Sequence, residues 1–361
     1  MNLGKLICVG LRGDAAGEAV FEKDIAACCQ AQVGGVILFD VDVPHMKRLL
    51  AAGVEPEAAR EQAVRNVVDA EQLHRLTASI RQQLGAEVMI SLDQEGGSVA
   101  RLSPRRGFAA EPSAQEFAEM NAAERLSAAT HQARQLAELG FDLNYAPCVD
   151  LALEAENEII TKLGRSFGDK ADVVVRCATD VIEAHLAAGV APCLKHFPGH
   201  GSSRGDSHLG MVDITDTWQR EEELAPFRQL GQLPGVAIMV AHVIHRTLGG
   251  GQPASLTPEF IDGLLRGELG FDGVVITDSI DMRAIAAEFS PGEAAVAAVA
   301  AGADIVVDGF NLSERAEHPA PELVAALDQA LQGGFVPGGA DRLAQSVRRI
   351  DRLRQEVRGS A

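Results

Sequence analysis

Several ionisable residues stand just past the ends of short apolar runs. Asp93 follows Glu87–Leu92, Lys195 and His196 follow Val190–Leu194, His242 follows Val236–Ala241, and Asp278 follows Gly273–Thr277. If the runs are strands, five reactive groups from four strands converge on one place. For each alone, the ordinary alternative is a strand-end salt bridge. All five together favour a site. The densest segment is residues 194–210, LKHFPGHGSSRGDSHLG, with four glycines, His200, Asp206 and His208. Its glycines and serines read as a flexible loop. Two chemistries fit. In metal-dependent hydrolysis, His196, His200, His208, His242 and an aspartate would ligate zinc. However, the H-x-x-x-H spacing crosses a Pro-Gly turn instead of a helix, and H-E-x-x-H is absent. Glycoside cleavage needs a carboxylate at the anomeric carbon and an acid at the leaving oxygen. Asp278 suits the first role, and Asp206 with His208, one residue apart, suits the second. A neighbouring carboxylate raises a histidine's pKa, so the imidazolium persists to donate a proton.

The elements that must position these groups alternate. Eight apolar runs are visible: Leu3–Val9, Gly34–Phe39, Glu87–Leu92, Leu143–Val149, Val190–Leu194, Val236–Ala241, Gly273–Thr277 and Asp304–Val307. Continuous apolar character suits strands buried on both faces. Helical stretches fall between or after them, such as Ser113–Leu139, Lys170–Ala188, Pro258–Leu269, Arg283–Ala301 and Asp341–Val357. Ser113 with Glu116 reads as a capping box, and Thr257-Pro258 as an N-cap followed by proline at the first helical position. Eight β-then-α units predict an α/β chain folded as a single (β/α)8 TIM-type barrel over residues 1–361, with an open doubly wound sheet as the rival. In a barrel, the C-terminal strand ends gather at one mouth, where sites form.

Composition narrows the partners. The 361 residues carry a net charge of −19, from 32 basic and 51 acidic groups. Such a chain is repelled by nucleic acid and by anionic membranes. No run reaches transmembrane length. The six cysteines form no C-x-x-C pair, so a zinc knuckle is not expected. The N-terminal apolar run is too short for a signal peptide, and the expectation is a cytoplasmic monomer. One Trp and one Tyr leave little for stacking along a polysaccharide. Sugar recognition would rest on charge-assisted hydrogen bonds.

At these residues the chain resembles glycoside hydrolase family 3, specifically the bacterial NagZ-type single-domain β-N-acetylglucosaminidases. The resemblance rests on Lys195-His-Phe-Pro-Gly-His-Gly201 with Asp206-Ser-His208, on Asp93-Gln-Glu-Gly-Gly97 with Arg101, on Leu163-Gly-Arg165-Ser-Phe-Gly168 and on Gly273-Val-Val-Ile-Thr-Asp278. It implies that Asp278 is a nucleophile forming a covalent glycosyl intermediate, and that His208 is the acid/base, oriented by Asp206. It implies that Asp93, Arg101, Arg165, Lys195 and His196 bind the sugar. It implies no cofactor and no metal. It also implies a substrate with terminal β-GlcNAc, such as a peptidoglycan fragment. Related β-glucosidases take their acid from a second domain; here the barrel loops must supply it. Ser98, Ser202, Ser203 and Ser279 depart from the family's usual wording. A β-glucosidase, a β-xylosidase and a phosphorylase remain family alternatives, and a non-catalytic sugar-binding barrel is the alternative outside catalysis.

Overall fold

The computed structural model describes residues 2–204, 210–312 and 314–360. Eight parallel strands form one sheet: β1 Ile7–Gly10, β2 Gly35–Ile37, β3 Met89–Leu92, β4 Leu143–Asn144, β5 Ala191–Phe197, β6 Ala237–Val240, β7 Val275–Thr277 and β8 Val306–Asp308. Each pairs with its sequence neighbours, and β1 pairs with β8. A single parallel bridge, Ile276 to Ile305, joins β7 to β8. The sheet therefore curls into a nearly closed barrel, as the alternation of runs predicts. Around it lie α1 Ala19–Ala31, α2 Ala70–Leu84, α3 Ala122–Glu138, α4 Ala171–Ala187, α5 Arg220–Leu230, the π-helix Glu259–Glu268, α6 Pro291–Ala301 and α7 Ala320–Gln332. Helix α8, Gly339–Ser360, follows. No described helix is long and apolar enough to cross a membrane.

The strand period of two sorts side chains between two cores. Ala191 and Cys193 of β5, Ala237 and Met239 of β6, and Ile276 of β7 pack inside the barrel with Tyr145. Leu194, Ile238, Val240 and Val275 face the helices. Ile350, Leu353 and Val357 of α8 join the inner cluster. Their spacing of three, then four, places them on one face of α8, which closes the end of the barrel opposite the mouth. Inside, the Tyr145 hydroxyl lies 3.5 Å from Cys8 Sγ and 3.2 Å from Ser91 Oγ, so the buried phenol is hydrogen-bonded.

Several boundaries differ from the sequence expectation, each for a local reason. Leu3–Leu6 is a 3-10 turn whose Gly4 amide donates to Asn2 Oδ1, and the strand starts at Ile7. The run Leu143–Val149 is regular strand only over Leu143–Asn144, since Pro147 has no N–H to give, although its backbone still meets β5 beyond: the Cys193 amide donates to the Ala146 carbonyl and the Val149 amide to the Lys195 carbonyl, each at 2.8 Å. The stretch Ser113–Leu139 is two helices, and Asn121 caps the second with a capping box to Glu124. The Ser113–Glu116 box is present as expected. Arg283–Ala301 also breaks, because Ser290 caps a new helix with Pro291 in its first turn. Thr257 does not cap with its side chain: the hydroxyl donates to the Pro253 carbonyl at 2.6 Å instead.

Gly10, at the end of β1, packs its Cα against β8: a Cβ there would stand 1.9 Å from the Gly309 carbonyl oxygen. Two backbones cannot yield as a side chain would. Gly10→Ala is expected to lower the unfolding free energy by about 3 kcal/mol or more, read by urea denaturation.

Candidate active site

Strand phase decides which strand-end residues reach the mouth. In β3, Met89 and Ser91 point inward, so Asp93 does too. Ala191 and Cys193 carry the phase to Lys195, and Val274 and Ile276 carry it to Asp278. All three line one cleft of about 510 Å³, with Arg101, Arg165, His196 and His200. That volume is within the range of small-molecule sites. His196 is out of phase with Lys195 but still reaches the cleft, because the pairing of β5 with β6 shifts register between Leu194 and Phe197.

His242 corrects the expected convergence of five groups. The β6 ladder ends at Val240, Ala241 already packs with the helix-side core, and His242 is fully buried outside the cleft lining. It sits behind the Asp278 segment, with Nδ1 2.7 Å from Ser255 Oγ and Nε2 2.9 Å from the Ser279 carbonyl. The Asp278 amide donates to the Val240 carbonyl, and the Ser279 amide to Asp278 Oδ1 at 2.7 Å. Ser279 Oγ donates to Asp281 at 2.6 Å and accepts the Gly309 amide at 2.7 Å. The departure at Ser279 thus ties the end of β7 to the end of β8.

A buried ion network forms the charged floor. Lys195 Nζ lies 2.8 Å from Asp93 and 2.6 Å from Glu95. Arg101 pairs with Asp93 at 3.0 Å, and Arg165 grips both oxygens of Glu95 at 2.8 and 2.7 Å. Burial alone would raise both carboxyls. Lys195 and then Arg101 outweigh it at Asp93, holding that group far below the usual carboxylate range. At Glu95, Arg165 and Lys195 hold the carboxyl down to about 2. Burial would also lower Lys195, yet Asp93 and Glu95 push it well above an ordinary lysine. The floor is therefore ionised and internally matched across the working pH range.

Two further groups organise the site. Asp150 accepts from His196 Nδ1 at 2.7 Å and from the His200 amide at 2.8 Å. Burial opposes its charge, but His196 and these hydrogen bonds hold it at about 2. Burial pushes His200 down to about 4, so its ring is neutral at neutral pH. Its Nδ1 lies 2.6 Å from Ser203 Oγ, while Nε2 is buried, without a hydrogen-bond partner, in a ring that lines the cleft. From the sequence, neither Glu95 nor Asp150 stands out as a site residue, and His200 does so only as a candidate zinc ligand. Asp150 follows the run Leu143–Val149, so the strand-end rule that picked Asp93 also covers it.

Asp206 and His208 lie outside the described residues. The chain leading to them is held firmly. Asn157 Nδ2 donates to the His200 carbonyl at 2.9 Å and the Ser203 carbonyl at 3.1 Å. Glu223 of α5 accepts from Ser202 Oγ at 2.5 Å and from the Gly201 amide at 3.2 Å. Burial pushes Glu223 up to about 7. Ser202 and Ser203, two of the four departures from the family's wording, are thus part of this anchor.

The histidines do not gather as a zinc set among the described residues, because His196, His200 and His242 each face a different partner. Only the trio Cys148, Asp150 and His196 brings three donor atoms within 4.8 Å there. Its Asp150–His196 contact is already a hydrogen bond, and burial pushes the Cys148 thiol well up, away from the thiolate that a metal prefers.

A barrel with ionised carboxylates, cations and a strand-end aspartate around one open mouth is the architecture of a glycoside-cleaving enzyme. The family model described as "Glycosyl hydrolase family 3 N terminal domain" matches residues 4–353. The chain belongs to glycoside hydrolase family 3. It is 31% identical over 332 residues to a β-hexosaminidase of Chromobacterium violaceum, spanning 88% of this chain and 85% of that one. It is 29% identical to β-hexosaminidase A of Pseudoalteromonas piscicida, covering 90% of this chain but 54% of the relative. A family 3 β-N-acetylglucosaminidase from Paenibacillus sp. str. FPU-7 superposes with a TM-score of 0.81 at 31% identity, over 100% of this chain and 62% of that one.

Two outcomes follow from the charges. Lys195→Met leaves two buried carboxylates facing each other and should lower stability by about 3–5 kcal/mol, read by denaturant unfolding. Glu223 prefers its proton in the fold, so its stabilising effect is full below its ordinary value of 4.5 and is lost as pH rises through about 7. The stability of the wild type relative to Glu223→Gln should therefore fall by about 3 kcal/mol between pH 4.5 and pH 8. A constant difference across that range would refute the assignment.

Proposed function

We propose that this chain is a retaining β-N-acetylglucosaminidase that releases terminal β-linked GlcNAc, with peptidoglycan fragments as the substrate class. One observation carries the reading: strand phase aims Asp278 into the same cleft as the matched floor of Asp93, Lys195 and Arg165. A floor of fixed donors and acceptors suits sugar hydroxyls. Neither the tryptophan nor the tyrosine provides a stacking platform. Trp218 is outside the cleft lining, with its Nε1 donating to the Pro198 carbonyl, and Tyr145 is fully buried. The relatives named above carry hexosaminidase activity in their names, which supports the choice of sugar.

In this reading the Asp278 carboxylate attacks the anomeric carbon as the bond to the leaving oxygen breaks. The His208 imidazolium, charged by Asp206, gives its proton to that oxygen. Neutral His208 then takes a proton from water, which displaces Asp278 and releases the sugar with its β configuration retained. Arg101, Arg165, Lys195, His196 and Asp93 hold the sugar, and His200 Nε2 meets one of its hydroxyls in either tautomer.

With a chromogenic β-N-acetylglucosaminide, Asp278→Ala should lose activity by at least about a thousandfold. Mass spectrometry after treatment with a 5-fluoro-β-GlcNAc inactivator should place one adduct on the Asp278 peptide. Full activity in the variant, or an adduct elsewhere, defeats the proposal.

A further inference from the structure

Ser279 stands directly after Asp278, and every polar atom it has is engaged. Its amide donates to Asp278 Oδ1 at 2.7 Å. Its carbonyl accepts the Met282 amide at 3.0 Å and lies 2.9 Å from His242 Nε2. Its Oγ lies 2.6 Å from Asp281 Oδ1 and 2.7 Å from the Gly309 amide nitrogen. An amide can only donate, so the hydroxyl accepts from Gly309 and commits its one proton to Asp281. Gly309 comes this close because it lacks a side chain: a Cβ there would stand 3.0 Å from Ser279 Oγ and 3.2 Å from the Phe39 ring. Three strand ends thus meet at one residue, since His242 follows β6, Asp281 follows β7 and Gly309 follows β8.

The partners of Ser279 are themselves held. Asp281 is buried, and its Oδ2 accepts the amides of Asn311 and Leu312 at 2.9 and 3.1 Å. Ser255 fixes His242 from its other ring nitrogen. The Ile280 amide donates to the Val307 carbonyl, so the segment keeps to β8 past the end of β7. Turning the Ser279 amide away from Asp278 would break these hydroxyl and carbonyl contacts together. A fixed N–H on one oxygen sets the plane of the Asp278 carboxylate. Displacement at an anomeric carbon needs the attacking oxygen in line with the breaking bond, and a small error in aim is costly. The same donor favours the ionised carboxylate over the acid. A strap that only joined β7 to β8 would affect stability alone.

We propose that Ser279 is a positioning residue for the nucleophile: locked by Asp281 and Gly309, it presents the amide that aims the Asp278 carboxylate at the anomeric carbon. The proposal rests on the glycosidase reading above and deepens it, from the attacking group to the residue that orients it.

Ser279→Ala and Ser279→Thr test it, with rates taken per site titrated by the 5-fluoro-β-GlcNAc inactivator so that misfolded enzyme is not counted. On 4-methylumbelliferyl β-N-acetylglucosaminide, Ser279→Ala should lower kcat/KM at least about tenfold. Inhibition by free GlcNAc reads the sugar-binding floor and should stay within about threefold of wild type. The acid limb of the kcat/KM profile should move up by at least about 0.5 pH unit, because the Asp278 carboxylate loses a fixed donor. Asp93, Lys195 and Asp281 line the same cleft and are untouched, so they do not account for the shift. Ser279→Thr keeps the hydroxyl, and its acid limb should coincide with that of the wild type. A smaller loss in Ser279→Ala, a matching loss of GlcNAc inhibition, an unmoved acid limb, or a limb displaced as far in Ser279→Thr overturns the proposal and leaves the glycosidase reading standing. A wild type that cleaves no β-N-acetylglucosaminide sinks both.

Discussion

The site depends on a buried ammonium. Lys195 stands between Asp93 and Glu95, shut from water, and each charge there is tolerable only because the others are present. Removing water strengthens their attraction but makes any unmatched member costly. Lys195 comes from β5, whereas Asp93 and Glu95 lie at and beyond the end of β3. Arg165, which completes the pairing at Glu95, comes from the connection after β4. The network can therefore form only when the strands lie side by side in the order the structure shows. Fold and site are stabilised by the same contacts. The floor presents fixed donors and acceptors to a sugar with little rearrangement left to make.

Around this rigid floor the chain is fastened at two levels. Behind Asp278, His242 and Ser279 hold the backbone from below and from the side. On the other flank, Asn157 and Glu223 hold residues 200–203, the stretch that leads to Asp206. Ser202, Ser203 and Ser279, where the chain leaves the family's usual wording, all fall in these fastenings. Their changes are compensated locally: Ser202 meets Glu223, Ser203 meets His200 and Asn157, and Ser279 meets Asp281 and Gly309. The lining of the cleft is mainly charged or aliphatic; Tyr145 there is fully buried, and Phe39 is partly buried with the Arg101 guanidinium 5.5 Å from its ring centroid.

Much of this was legible in the residues. Eight apolar runs separated by helical stretches correspond to eight strands of a barrel, and Asp93, Arg101, Arg165, Lys195, His196 and Asp278 all line one cleft. The boundaries were less legible, because prolines and polar caps cut runs that periodicity alone would continue, as at Pro147, Asn121 and Ser290. His242 departs from the expectation because a place just past a strand does not fix a side chain's direction once the ladder has ended: β6 stops at Val240, and Ala241 already packs with the helix-side core. Counting by twos from Met89, Cys193 and Ile276 does reach Asp93, Lys195 and Asp278.

The sequence by itself determined the kind of elements, their order and the reactive residues at their ends, because apolar period and cap chemistry act over a few neighbouring residues. Only the tertiary structure decided which of those residues meet. Glu95 and Arg165 are seventy positions apart, and Asp150 and His196 forty-six. Their pairing is set by which strands are adjacent and by the shift of register in β5, neither of which has a local signal. The tertiary structure also decided charge. Burial drives Glu223 up and His200 down, while matched partners hold Asp93 and Glu95 low in the same buried setting. A carboxyl's ionisation depends on its neighbours in space, and the linear chain does not state them.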